Sequence, residues 1–257
     1  MIHVGTSGWQ YRSWKDRFYP KGVPQRAWLR HYASRFPVVE VNNSFYMLPK
    51  ESTFDRWREE TPDGFLFVVK ASRYITHVRR MREAKDSVEL FWSRATRLGP
   101  KLGPILFQFP PNLKADVPLL AEFLTVLPGS LRPAFEFRDP SWWRDDAFEL
   151  LDRARAAWVL ADRPGARVPE IVTGDWSYIR FHQGRPAHPG YTRSKLRAWA
   201  DRIAGLAVPE AFVFFNNDPL AAAPRDALIL EELLAGRGLE VAQPPGAFQD
   251  APGRCAT

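Results

Sequence analysis

In the stretch PAFEFRD, Glu136 and Arg138 stand two residues apart within an otherwise apolar run. In a strand that spacing puts a carboxylate and a guanidinium on one face. The same parity pairs Glu40 with Asn42 in VVEVNNSF, Lys70 with Ser72 in FLFVVKAS, Arg180 with His182 in SYIRFHQG, and Asn216 with Asp218 in AFVFFNND. Gln108 stands in PILFQFP and Asp162 ends AAWVLAD. These residue types suit chemistry on an anion. Lys70, Arg138 and Arg180 supply N–H donors for a phosphate or carboxylate, the arginines in bidentate fashion. Glu136 or Glu40 is cast as general base, and His182 or His77 as proton donor. Asn42, Gln108, Asn216, Asn217 and Asp218 are the polar groups expected to orient the ligand.

Two loops add candidates. GTSGWQYRSWKDRFYPKG follows the first strand-like run, and its Trp9 and Tyr11 have faces on which a sugar or base stacks. The competing reading makes these aromatics a plug for the fold. SRYITHVRRMR brings Arg73 and His77 behind the third run. Neither a dinucleotide nor a P-loop fingerprint occurs. The histidines, His3, His31, His77, His182 and His188, show no helical ligand spacing. No cofactor is predicted, and a divalent metal held by His, Glu and Asp from several strands is left open.

The elements that must position these groups are eight short apolar runs: 2–8, 38–45, 65–72, 104–110, 133–139, 156–162, 177–184 and 211–218. Between them lie helical periodicities such as Trp28, Leu29, Tyr32, Phe36 and Leu196, Trp199, Ile203, Leu206. Ser141 and Asp145 read as caps for the helix that contains AFELLDRARAA. Alternating strands and helices imply parallel strands with crossovers, and eight units in 257 residues predict a TIM-type (β/α)8 barrel. An open doubly wound sheet is the runner-up. The connection after the sixth strand, 163–175, has the prolines and glycines of a loop and is predicted irregular. A single domain over 1–236 and a C-terminal tail over 237–257 are expected. In a barrel the outer face packs on helices and is apolar, so the polar set is expected inside, at the C-terminal mouth. Structural ion pairs that merely fill the barrel are the competing account, although buried pairs add little over apolar packing.

With a net charge of +7, the chain favours anionic partners. The one cysteine excludes a disulfide framework and a thiolate metal site. MIHVGTSGW lacks the form of a signal peptide, and no apolar run reaches membrane-spanning length. A cytoplasmic protein that does not engage a membrane is expected. Nothing in the sequence sets its oligomeric state.

The stretches GTSGWQYRSWKDRFYP, VVEVNNSFYMLP, TPDGFLFVVKASRYITH, ILFQFPPNL, AFEFRDPSWW, YIRFHQG and FVFFNND resemble, in order, the YecE-like family, domain of unknown function 72. That resemblance implies a TIM-like barrel and a pocket, and supplies no established reaction. RFHQG departs from the family pattern of His directly followed by Gly, so Gln183 is expected to displace the loop after His182. The leading reading is a hydrolase-like enzyme acting on a phosphorylated or otherwise anionic substrate, nucleic acid included. The alternatives are a non-catalytic nucleic-acid or metabolite-binding protein and a glycosidase-like enzyme using Glu40 and Glu136. Against the last, nearby cations hold both carboxylates ionised, whereas one must be protonated.

Overall fold

The structure, a computed structural model, describes residues 1–182 and 188–246. Eight parallel strands close into a barrel in chain order: β1 (Ile2–Thr6), β2 (Val38–Val41), β3 (Leu66–Lys70), β4 (Leu102–Gln108), β5 (Pro133–Glu136), β6 (Ala157–Asp162), β7 (Trp176–Phe181) and β8 (Glu210–Phe215). β8 pairs with β1 in parallel, so the sheet has no free edge. This is the (β/α)8 fold read from the alternation.

The helices are α1 (Trp28–Ala33), α2 (Asn43–Tyr46), α3 (Glu51–Glu59), α4 (Lys85–Ala95), α5 (Val117–Thr125), α6 (Asp145–Arg153), α7 (Arg193–Gly205) and α8 (Ala222–Ala235). A single π-helical turn, Tyr74–Val78, follows β3. No helix forms between β6 and β7, where 163–175 crosses as a loop. The expected caps of α6 act elsewhere. Its N-cap is Arg144, Asp145 is its first residue, and Ser141 Oγ instead accepts the amide of Ala115. Past α8 the chain runs back beneath the barrel, where the Ile2 amide donates to Glu240 O and the Ala242 amide to Ile2 O.

Strand parity sorts the core into two bodies. The outward residues, among them Val39, Val69, Phe107, Phe135, Phe137, Ile179 and Phe215, join the helices in one large cluster. The inward residues Val38, Val68, Leu106, Ala134, Val159, Ala161, Tyr178, Phe212 and Phe214 form a second cluster with no helical member. That is the filled interior of a small barrel. Where β1 starts to pair with β2, a Cβ on Gly5 would stand 2.3 Å from Val38 O, so only glycine permits the closure. On β6, Asp162 is on the outward parity and pairs with Lys195 of α7 at 2.7 Å, so it does not join the polar inner set. No helix among the described residues is long and apolar enough to cross a membrane.

Candidate functional site

Above the apolar interior the inward parity turns polar on nearly every strand. Arg180 of β7 lies at its centre, buried, and reaches across the axis. Its Nε and Nη2 donate to Glu40 of β2 at 2.9 and 2.6 Å, a bidentate pair, and its Nη1 donates to Glu136 of β5 at 2.6 Å. Tyr178, one inward step below, donates its hydroxyl to Glu40 Oε2 at 2.6 Å. Arg138 closes the far side, its Nε 2.9 Å from Glu136 Oε1.

Both carboxylates are therefore committed. Burial pushes each pKa up, but their partners outweigh it. Arg180 and Tyr178 hold Glu40 below its usual range, and His182, Arg180 and Arg138 hold Glu136 well below it. His182 is kept neutral by burial, so at neutral pH it acts on Glu136 through a hydrogen bond. The charge that holds Glu136 ionised then comes from the two guanidiniums. His182 Nε2 lies 3.2 Å from Glu136 Oε1 and 3.3 Å from Arg180 Nη1; since that guanidinium nitrogen already donates to Glu136 at 2.6 Å and the Asn216 amide nitrogen faces Nδ1, the tautomer that suits all three neighbours carries its proton on Nε2. Nδ1 is left with its lone pair, 3.5 Å from the Asn216 amide nitrogen.

Lys70 of β3 ends beside this network without a carboxylate of its own. Its Nζ donates to Gln108 Oε1 at 2.9 Å and sits 4.1 Å from the centre of the Phe45 ring. Burial, then Arg180, lower its pKa to about 8. His77 packs edge-on against the same Phe45 ring, and burial with the surrounding cations Lys70, Arg138, Arg73 and Arg80 lowers it to about 4. Arg73 itself is exposed at the rim.

A second polar group occupies the β1, β2 and β8 side of the mouth. The Tyr11 hydroxyl and the Asn42 amide both donate to Ser7 O, at 2.5 and 3.2 Å. Asp218 stands against Tyr11, and burial raises its pKa to about 7. The tight loop depends on Gly8, whose φ is +106° and whose missing Cβ would lie 2.8 Å from the Tyr11 hydroxyl.

Glu40, Lys70, Gln108, Glu136, Arg138, Arg180, His182 and Asn216 thus meet in one place, with His77, Tyr11, Asn42 and Asp218 around them. Two expected ligand contacts lie elsewhere. Trp9 is buried outside the barrel, edge-on to Trp57 of α3 and Phe67 of β3, because an indole in the tight β1 loop gains more from that apolar seam than from water. Asn217, on the outward parity, donates to Pro189 O and to Asp226 of α8, each at 2.8 Å. Arg180 also differs from expectation: its donors are spent on two carboxylates rather than offered to a ligand. Gln183 lies outside the described residues. Among the described residues no three His, Cys, Asp or Glu side chains group as a metal site.

Three members escaped the reading of the sequence: Tyr178, Ser7 and Arg163. Each is on the inward parity, two residues from a recognised position or on the continuation of a strand. Arg163, two past Ala161, enters the field of Glu136 and Arg138, and its buried Nε has no partner among the described residues.

The model of the family described as "Protein of unknown function DUF72" matches residues 3–249. The chain is 28% identical to the UPF0759 protein YunF of Bacillus subtilis (strain 168), over 91% of this chain and 95% of that protein. It is 33% identical to the UPF0759 protein YecE of Escherichia coli (strain K12) along 144 residues, which cover 56% of this chain and 50% of that one. Among solved structures, a DUF72 family protein from Thermotoga maritima MSB8 superposes with a TM-score of 0.83 at 28% identity, over 91% of this chain and 99% of that chain.

Proposed function

The chain belongs to the family of unknown function DUF72, and from its barrel mouth we propose a hydrolase-like enzyme that acts on a phosphorylated or otherwise anionic substrate. The observation that carries this reading is a set of inward cations with unspent donors. Among the described residues Arg138 uses only Nε, on Glu136, Lys70 meets one neutral acceptor, and Arg163 Nε meets none. Three positive charges converge where, among the described residues, neither Lys70 nor Arg163 has a carboxylate in direct ion-pair contact, and an anion relieves their mutual repulsion. Two guanidiniums and an ammonium suit a phosphate better than a neutral sugar.

The catalytic roles follow from the hydrogen bonds. Glu136 is too firmly held as a carboxylate to serve as a base near neutral pH. It orients His182 and stabilises the imidazolium that forms when His182 Nδ1 takes a proton from water or a substrate hydroxyl. Glu40 fixes Arg180, which in turn fixes Glu136. The glycosidase alternative loses support, since neither carboxyl is available as the protonated acid. Nucleic acid remains a form the anion takes, with the rest of its backbone running over the rim past Arg73 and Arg80.

The test is calorimetric titration with inorganic phosphate and with short oligonucleotides, beside a screen of phosphomonoesters and phosphodiesters for turnover. His182→Asn should retain binding and lose turnover. Arg163→Met should lose binding of phosphate. Oligonucleotide affinity that falls steeply with salt identifies the polyanion. No binding of any anion in low salt overturns the reading.

A further inference from the structure

Lys70 differs from Arg180 and Arg138. Arg180 is neutralised by two carboxylates and Arg138 by one, whereas Lys70 has no carboxylate within ion-pair distance among the described residues. Among the described residues its Nζ has a single acceptor, the neutral amide of Gln108, and it lies over the face of the Phe45 ring. The side chain is 8% exposed, so it meets the mouth and little else. The charges of Arg180 and Arg138 repel it, while Glu40 and Glu136 attract it from beyond ion-pair distance. An ammonium whose purpose is only to hold the scaffold would be expected to have an anionic partner. Here burial and the adjacent guanidiniums favour the free amine and outweigh the pull of Glu40, Glu136 and the Phe45 ring face toward the ammonium, the balance that makes a lysine nucleophilic.

We infer that Lys70 is the reactive amine of the site and forms an imine with a substrate that carries both an anionic group and an aldehyde or ketone. The inference rests on the anion-binding reading above, with Arg138 and Arg163 holding the anion while the carbonyl reaches Nζ. The nitrogen lone pair forms the N–C bond and the C=O π pair moves to oxygen. Both amine protons leave with that oxygen as water, and a C=N bond remains. Nothing is oxidised or reduced. His77, kept neutral and packed edge-on against the same Phe45 ring, and His182 are the bases of the mouth that can move these protons.

The probe is pyridoxal 5′-phosphate, an aldehyde that carries a phosphate monoester. The whole protein is incubated with it near neutral pH, any imine is reduced with borohydride, and the adduct is located by peptide mass mapping. With an amine near 8 against an ordinary lysine near 10.4, the free-amine fraction favours Lys70 on the order of a hundredfold. The adduct should therefore fall on Lys70 in clear preference to the other lysines. Excess inorganic phosphate should suppress it, and its rate should climb as pH rises through about 8. Labelling spread evenly over the lysines overturns the inference. So does an unlabelled Lys70 in a protein that binds phosphate, which leaves the anion site standing. An adduct on Lys70 that phosphate does not compete with supports the amine and overturns the shared anion site. Because the mapping is done on the native chain, the result does not depend on a Lys70 variant folding.

Discussion

Replacing Glu136 by Gln separates scaffold from base. The carboxylate is 1% exposed and accepts from Arg180 at 2.6 Å and Arg138 at 2.9 Å. Gln keeps the shape and one acceptor but removes the charge. Three cations, Arg180, Arg138 and Lys70, then share Glu40 as their one buried counter-charge in the network. Breaking a buried pair by removing one partner costs about 3–5 kcal/mol. Arg180 keeps its bidentate bond to Glu40, so the lower end applies, about 3 kcal/mol. At this chain length each kcal/mol moves Tm by roughly 2–4 °C, which gives a drop of about 6–12 °C. The loss must also depend on pH in a definite sense. The folded pKa of Glu136 lies well below its unfolded value near 4.3, so its stabilisation is complete above that value and disappears as pH falls through the folded pKa. Thermal unfolding of both proteins from pH 7 down to about 3 should show the gap narrowing toward the acid end. A variant that melts within about 2 °C of the native chain at pH 7 would refute the reasoning and return Glu136 to the candidates for proton transfer.

Two further outcomes are expected. Glu231 of α8 has a buried Oε1 without a partner among the described residues, and burial raises its pKa to about 8. Its stabilisation is complete below the unfolded value near 4.3 and is lost as pH rises to about 8, so Glu231→Gln should unfold at a higher temperature than the native chain at pH 8 and above; an unchanged melting profile there would show that the carboxyl is hydrated. Gly8→Ala should destabilise by at least about 1 kcal/mol, since a Cβ at φ +106° meets the Tyr11 hydroxyl at 2.8 Å; equal urea midpoints would contradict the strain.

Much of this was legible in the chain because a strand has a period of two and a barrel has one dry side and one mouth. Runs such as VVEV and PAFE fixed both the strands and the face of Glu40 and Glu136, and the alternation of elements fixed the closed parallel sheet. The same parity, carried past the strand end, would also have found Arg163. Loop residues have no such period. Trp9 looked like a stacking platform and is core, and Asn217 was expected to orient a ligand and is tied to α8. What only the tertiary structure decided is who pairs with whom. Arg180 bonds Glu40 across 140 residues of chain and Glu136 across 44, from strands that are not neighbours. Sequence supplies the charges and the face, but pairing energy depends on distances across the barrel axis, and those exist only once the sheet has closed.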